Sequence, residues 1–422
     1  MNILIIGGGG REHALGWKIA QSPKCEKLWF SPGNGGTSKV GENVALNLAQ
    51  HQDVVDFCSK ENIGLVVIGP DDFLAAGLAD SLQAGGIKAF GASKSASKLE
   101  WSKEYAKEFM IAHNIPTATY KAFDKYEGAV EYVKSQTFPV VIKADGLALG
   151  KGVVIAQNFE EAETALNAFM RESVHGDAGK RIVIEEYLEG HEFSIHAFCD
   201  GENIAMFPSS EDHKRIFDND MGPNTGGMGT IAPLPWVTPE MMKEIEDKIV
   251  RPLILNMQNQ GTPFVGLLYP GIMWTKSGPK VIEINARFGD PEAQSYMRLL
   301  ETDLVDICLA CCDGSLNEVK IEWKNAYASC IVLASVGYPG TYPKGLEITG
   351  LEDSGQVVIF HAGTKKDGER AVTSGGRVLG VTATADTLQN ALDKAYESVG
   401  KISFEGKQFR QDIGHKSLKR IS

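Results

Sequence analysis

Val281-Ile-Glu-Ile-Asn-Ala-Arg-Phe-Gly-Asp-Pro-Glu292 is an apolar run with two polar interruptions that ends in a turn-rich segment. Its alternation predicts an extended strand with Val281, Glu283 and Asn285 on one face and Ile282 and Ile284 on the other. A carboxylate and an amide oxygen two residues apart on a rigid strand form a hard, oxygen-only donor pair. That pair suits Mg²⁺, which takes few protein oxygens and completes its shell with water and phosphate. Arg287 follows at once, with a fork of donors shaped for a phosphate or acyl-phosphate oxygen. Taken alone, the stretch reads equally well as a half-buried strand with a polar edge, so the remainder of the chain decides.

The chain has 422 residues, too many for one compact core, which predicts two to four domains. Its 43% hydrophobic and 23% charged residues are those of an ordinary globular protein. A net charge of −12 without a long basic run argues against nucleic acid as a partner. No apolar run approaches the roughly 20 residues needed to span a bilayer. The opening Met-Asn-Ile-Leu-Ile-Ile reads as a strand, not a signal peptide, so a cytoplasmic location is expected. Seven cysteines, an odd count in a long chain, are expected to be reduced thiols. Cys308, Cys311 and Cys312 sit at helical spacing beside Leu304, Ile307 and Leu309, and read as a buried helix face instead of a zinc site.

The first hundred residues alternate strands (3–6, 27–31, 65–69, 88–91) with helices (13–21, 54–61, 75–85). That order predicts a doubly wound parallel sheet with ligands at the carboxyl ends of its strands. The first such end carries Gly7, Gly8, Gly9, Gly10 and Arg11. The third glycine of a dinucleotide fingerprint is missing, and no acidic residue follows the second strand, which disfavours NAD. A glycine turn before a helix and beside Arg11 remains a good phosphate cradle.

A single helix is expected over residues 95–113, with Lys103 and Lys107 four apart on it. Next, two apolar strands flank a glycine-rich turn containing Gly146, Gly150 and Gly152, and Lys143 closes the first strand. No helix follows and the Walker order is absent, so the segment reads as a hairpin covering phosphates. After a helix near 159–172, a strand over 181–188 offers backbone groups at Glu186, Tyr187 and Leu188 to an adenine. Glu185 or Glu192 is left for amine or hydroxyl groups. Asp212, Lys214 and Arg215 then lead into Gly222-Pro-Asn-Thr-Gly-Gly-Met-Gly229, a loop suited to close over a substrate. A helix over 238–260, paired strands over 264–274 and 280–285, and a boundary near 320–327 follow. Strands over 328–335, 357–362 and 377–383 and a helix over 387–399 complete the chain.

This order of parts resembles the ATP-grasp superfamily, and within it the glycinamide ribonucleotide synthetase family. Gly-Arg-Glu-His at 10–13, Pro-Gly-Asn at 32–34, Ile-Lys-Ala-Asp-Gly at 142–146 and Asp-His-Lys-Arg at 212–215 carry the resemblance. The glycine-rich loop 222–229 and Asn-Ala-Arg-Phe-Gly-Asp-Pro-Glu at 285–292 are its most specific parts. Phe-His-Ala-Gly-Thr at 360–364 and Gly-Gly-Arg at 375–377 extend it to the C-terminal region.

The resemblance implies an α/β and α+β multidomain protein. An N-terminal doubly wound parallel sheet (the pre-ATP-grasp domain) would span 1–102. A two-lobed ATP-grasp core would span 103–325, with its lid over about 120–190 and its central lobe over 103–119 and 191–325. A small β-rich α+β domain would occupy 326–422. It implies ATP-dependent ligation of glycine to 5-phospho-β-D-ribosylamine through glycyl phosphate, with Mg²⁺ or Mn²⁺ held by Glu283 and Asn285. Lys103, Lys107, Lys143, Gly150, Gly152, Glu185, Glu186, Tyr187, Leu188 and Glu192 would bind ATP. Arg287, Lys214, Arg215 and Asp212 would act in catalysis. Gly8, Gly9, Gly10, Arg11, Asn34, Asp71, Asn224, Thr225, Gly226, Gly227 and Asp290 would contact the other substrates.

Two departures from the family pattern stand out. Asp71 replaces a glutamate, and Leu149 replaces an alanine in the hairpin. The partners expected are small molecules, with no nucleic acid and no membrane, for a monomer or homodimer. The nearest rival is another ATP-grasp carboxylate–amine ligase of purine synthesis. A nucleotide-binding scaffold and an oxidoreductase are the rivals from other classes.

Overall fold

The computed structural model describes the chain apart from residues 148–151, 173, 175, 353–355, 421 and 422. Its first unit is a parallel sheet whose strands run in the order Glu42–Asn43, Lys27–Pro32, Asn2–Gly7, Ile63–Ile68, Ala89–Phe90. Ile3 and Ile5 enter one apolar cluster and Leu4 and Ile6 another, so both faces of the central strand are covered. That explains its unbroken apolar run, since parallel sheets are buried on both sides. The helix expected over 75–85 is instead two, Asp71–Ala76 and Leu78–Ala84, because Gly77 at φ +92° ends the first in a left-handed cap. The helix expected over 95–113 is also divided, into Lys98–Trp101 and Lys103–Ala112. Ser102 turns extended between them and caps the second by accepting from Tyr105 N at 3.3 Å.

A four-stranded antiparallel sheet follows in the order Tyr120–Phe123, Ile182–Glu186, Val140–Ala144, Val153–Ala156. Ala129 and Val133 on the helix Tyr126–Lys134, and Ala162 and Leu166 on the helix Phe159–Met170, pack into this sheet's own apolar cluster. The unit therefore has a core separate from the rest of the molecule.

The central unit is built on the strand Val265–Thr275, antiparallel to His191–Ser194, Ala197–Asp200 and Gly278–Asn285. Here the structure corrects the face assignment made from sequence. Gly271 pairs with Glu283 and Ile272 with Val281, leaving Ile282 as an extra residue in a β-bulge. Val281 and Ile284 both enter the main core, whereas Glu283 and Asn285 share the other face with the half-buried Ile282. Glu283 and Asn285 do lie together, but Val281 is not with them.

The fourth sheet runs Glu211–Asp212, Gly229–Ala232, Tyr327–Ala334, Arg377–Ala385, Val357–His361, with the helix Leu388–Lys401 packed on it. The glycine-rich loop 222–229 thus leads into a strand of the sheet that carries the C-terminal region. All seven cysteines are free, and Cys308 and Cys311 are buried on the helix Leu304–Asp313. Among the described residues no group of three or more His, Cys, Asp or Glu side chains could hold a metal ion, and no helix is long and apolar enough to cross a membrane.

Candidate active site

The bulged strand presents Glu283 and Asn285 to the cleft, and each is met by a cation. Lys214 Nζ lies 3.1 Å from Glu283 Oε1 and 2.6 Å from Glu192 Oε1. Lys214 foremost, and then Lys143 and Lys103, hold the Glu283 carboxyl down to about 2 against the cost of burial. Burial opposes the charge on Lys214, and Glu192 and Glu283 override it, so this ammonium titrates above the ordinary lysine range. Asn285 Oδ1 accepts from Arg287 Nη2 at 3.1 Å. Arg287 is itself anchored by Glu100 Oε1 at 3.0 Å, while Glu100 Oε2 accepts from Ala286 N at 2.7 Å. Burial pushes Glu100 up to about 7 despite that guanidinium. The sequence alone assigned no role to Glu100, whose partners lie on the distant strand end at Ala286 and Arg287.

Three lysines converge on the same strand. Lys143 Nζ donates to Ile282 O at 2.7 Å and pairs with Glu185 Oε1 at 2.9 Å. Lys107 pairs with the other oxygen of Glu185 at 2.8 Å and donates to Thr117 Oγ1, which donates to Val281 O at 2.7 Å. Burial lowers Lys107 to about 8, with Glu185 opposing. Glu185 is 4% exposed, and both its oxygens meet lysines, so it positions those lysines and offers little to a ribose. Lys103, lowered by burial, donates to Gly146 O at 3.1 Å, across from the hairpin. Gly152 closes the hairpin by accepting from Ala144 N at 2.8 Å, while Gly150 and Leu149 lie outside the described residues. Glu186 Oε1 receives Thr119 N at 2.9 Å and Lys280 at 3.3 Å, with Tyr187 exposed and Leu188 buried beyond it.

A second concavity, of about 330 Å³, is lined by Gly8, Gly9, Gly33, Asn34, Asp290, Ala362, Gly363, Thr364, Ser374 and Arg377. Gly8 allows its construction: a Cβ there would stand 2.5 Å from Gly33 O, so two strand-end turns touch backbone to backbone. Asn34 Nδ2 donates to Gly8 O at 3.0 Å and His361 O at 2.8 Å, while its Oδ1 receives Gly36 N at 2.8 Å, so Asn34 braces the wall. Arg11 does not line the cavity. Its guanidinium is held by Glu12 at 2.5 Å and Phe288 O at 3.0 Å. Gly10 faces Gln294 instead. Asp71 starts its helix within the field of Glu100 and Arg287, apart from this cavity.

The basic group that does line the cavity is Arg377. It donates to Gly226 O and, at 2.6 Å, to Asp290 O, and lies 3.4 Å from Asp290 Oδ2. Gly-Gly-Arg at 375–377 was visible as a motif but carried no assigned role. Thr225 Oγ1 donates to Lys214 O at 2.8 Å and receives Gly227 N at 3.0 Å, fastening the loop to the Asp-His-Lys-Arg segment. Gly227 sits at φ +110°, where a Cβ would meet Asp212 Oδ1 and Pro291 at 2.5 Å. Asp212 Oδ1 has no hydrogen bond, and burial, with Glu292 nearby, raises this carboxyl well above its usual range. Arg215 donates to Gly222 O at 2.6 Å and, with Asn224, lines a separate cleft facing the strand Val153–Ala156. The structure thus brings the two metal-ligand candidates, the lysines and Arg287 into one cleft. It places Arg11, Asp71 and Arg215 at its margins.

Three models of the phosphoribosylglycinamide synthetase family match the chain: the N domain over residues 1–100, the ATP-grasp (A) domain over 101–293 and the C domain over 328–416. A phosphoribosylamine–glycine ligase of Caldanaerobacter subterraneus is 45% identical over 98% of this chain and 99% of its own length. The trifunctional purine biosynthetic protein adenosine-3 of Gallus gallus is 45% identical over the whole chain, which corresponds to 42% of that protein. The crystal structure of a phosphoribosylamine–glycine ligase from Thermotoga maritima superposes with a TM-score of 0.87 at 34% identity, covering 98% of this chain and 100% of that one.

Proposed function

We infer the residue roles from one premise: the chain belongs to the phosphoribosylglycinamide synthetase family. It is accordingly an ATP-grasp ligase that joins glycine to phosphoribosylamine in purine biosynthesis. We propose that the reaction runs in two stages. The glycine carboxylate takes the γ-phosphoryl group of ATP, giving glycyl phosphate and ADP. The amine then attacks the glycyl carbonyl, the C–O bond to phosphate breaks, and the nitrogen loses a proton as the amide forms.

Phosphoryl transfer asks the protein chiefly to position its reactants and to neutralise charge. We assign nucleotide phosphates to Lys103 and Lys143, with Lys107 and Glu185 holding Lys143 in place. Adenine falls to the backbone at Glu186, Tyr187 and Leu188, and the ribose to Glu192. The oxygen-only donors Glu283 and Asn285, on one strand face with Glu283 ionised, fit Mg²⁺ or Mn²⁺. Bound there, the ion would neutralise charge on the β- and γ-phosphates. Arg287 and Lys214 steady the glycine carboxylate and acyl phosphate, with Asp212 and the loop 224–227 around them. The cavity at Gly8, Gly9, Asp290 and Arg377 takes the phosphoribosyl group.

We place these roles in units spanning 1–102, 103–325 and 326–422, in a cytoplasmic enzyme acting on small molecules. The observation that carries the reading is the convergence of Lys143, Lys214 and Arg287 on the strand bearing Glu283 and Asn285. In a coupled assay, ADP release should require glycine and phosphoribosylamine together. Glu283→Gln should lower kcat roughly 100-fold or more while leaving the fold intact. Near-normal turnover in that variant overturns the metal assignment.

A further inference from the structure

Lys214 is held by two carboxylates, Glu192 at 2.6 Å and Glu283 at 3.1 Å. Both have other tasks in the reading above: Glu192 the ribose of the nucleotide, Glu283 its metal. A divalent ion sits about 2.0–2.1 Å from a ligating oxygen, so it and an ammonium on the same oxygen repel at close range. The backbone of Lys214, meanwhile, is tied to the other side of the cleft: its carbonyl receives Thr225 N at 2.7 Å and Thr225 Oγ1 at 2.8 Å. Its side chain bridges from the glycine-rich loop to the bulged strand. Lysine's flexible four-carbon stem leaves the ammonium free to change partners while the backbone stays tied to the loop. Arg287, the other cation on the donor pair, is pinned by Glu100 at 3.0 Å and Phe288 O at 3.2 Å and has no such freedom.

We propose that Lys214 is an exchangeable counter-cation: the metal–nucleotide complex displaces it from Glu283 and Glu192, and the released ammonium then receives the carboxylate of glycine. This inference rests on the assignment of Glu283 and Asn285 as metal ligands. Glycine binding is thereby linked to metal–nucleotide binding through one side chain, and linkage of this kind is reciprocal. It supplies an order of events, in which the site acquires its affinity for the carboxylate once the phosphoryl donor is in place.

The test uses the full-length protein, Mn²⁺ and a non-hydrolysable ATP analogue, and reads binding instead of turnover. Mn²⁺ affinity is followed by electron paramagnetic resonance and glycine affinity by calorimetry. Lys214→Gln removes the competing ammonium, so Mn²⁺ with the analogue should bind roughly fivefold tighter or more, and Lys214→Arg should return it toward wild type. Glycine should bind wild type roughly tenfold tighter with Mn²⁺ and analogue present, and Lys214→Gln should lose that dependence. A merely loosened site would weaken Mn²⁺ binding, the opposite sign. Unchanged or weaker Mn²⁺ binding in Lys214→Gln, or a persisting glycine dependence, overturns the exchange. Glu283→Gln separates the two claims. If it binds Mn²⁺ as wild type does, the metal assignment itself falls. If it loses Mn²⁺ while Lys214→Gln gains nothing, only the exchange falls.

Discussion

Glu100 keeps a carboxylate inside the protein, 7% exposed, between Arg287 and the amide of Ala286. Its pKa rises from 4.5 to about 7, because burial penalises the charge more than Arg287 repays it. Between those values the folded state binds more protons than the unfolded one, so stability falls as pH rises through that window, by at most roughly 3 kcal/mol. Urea unfolding from pH 5 to 8 should show this decline in wild type and a flatter profile in Glu100→Gln. Glu283 has the reverse sign. Its carboxyl is held at about 2, so its contribution is present above its ordinary value of 4.5 and is lost as pH falls toward 2. The shared strand face of Glu283 and Asn285 was legible in the sequence because their spacing is local. Glu100 was not, because its significance is a contact with Ala286, 186 residues away.

At the scale of elements, two breaks in regularity set the site. Ser102 interrupts an otherwise continuous helical pattern and makes Lys103 the first residue of a new helix, turned toward the hairpin at Gly146. Ser102→Ala should cost about 1 kcal/mol of stability and raise the KM for ATP, as measured by thermal unfolding and steady-state kinetics. A serine before a lysine-rich helix is a readable cap signal. The continuous apolar period across residues 95–113 hid it. The bulge at Ile282 was unreadable in principle, since a bulge is a mismatch between two strands, and the partner register at Gly271 and Ile272 creates it. It reverses Val281 while leaving Glu283 and Asn285 facing the cleft.

Across the whole molecule, the cavity proposed to take the phosphoribosyl group is assembled from three regions: the turns at Gly8 and Asn34, the corner at Asp290, and the C-terminal residues Gly363, Ser374 and Arg377. Arg377 joins them by donating to Gly226 O and Asp290 O. A lysine retains the charge but loses the planar fork, so Arg377→Lys should raise the KM for phosphoribosylamine roughly tenfold. The KM for ATP should change within about twofold, because Arg377 does not reach the nucleotide cleft. Equal changes in both constants would mean that the fork acts on the fold as a whole.

The chain by itself determined its family and its chemistry and marked out candidate turns for its ligands, because glycines, strand alternation and charged residues at short spacing are local properties. Only the tertiary structure decided which cation meets which carboxylate. Lys214 and Glu283 are 69 residues apart, and Arg377 and Asp290 are 87 apart. Burial and through-space charge set the working state of such pairs, and both depend on distances that exist only after the sheets have packed.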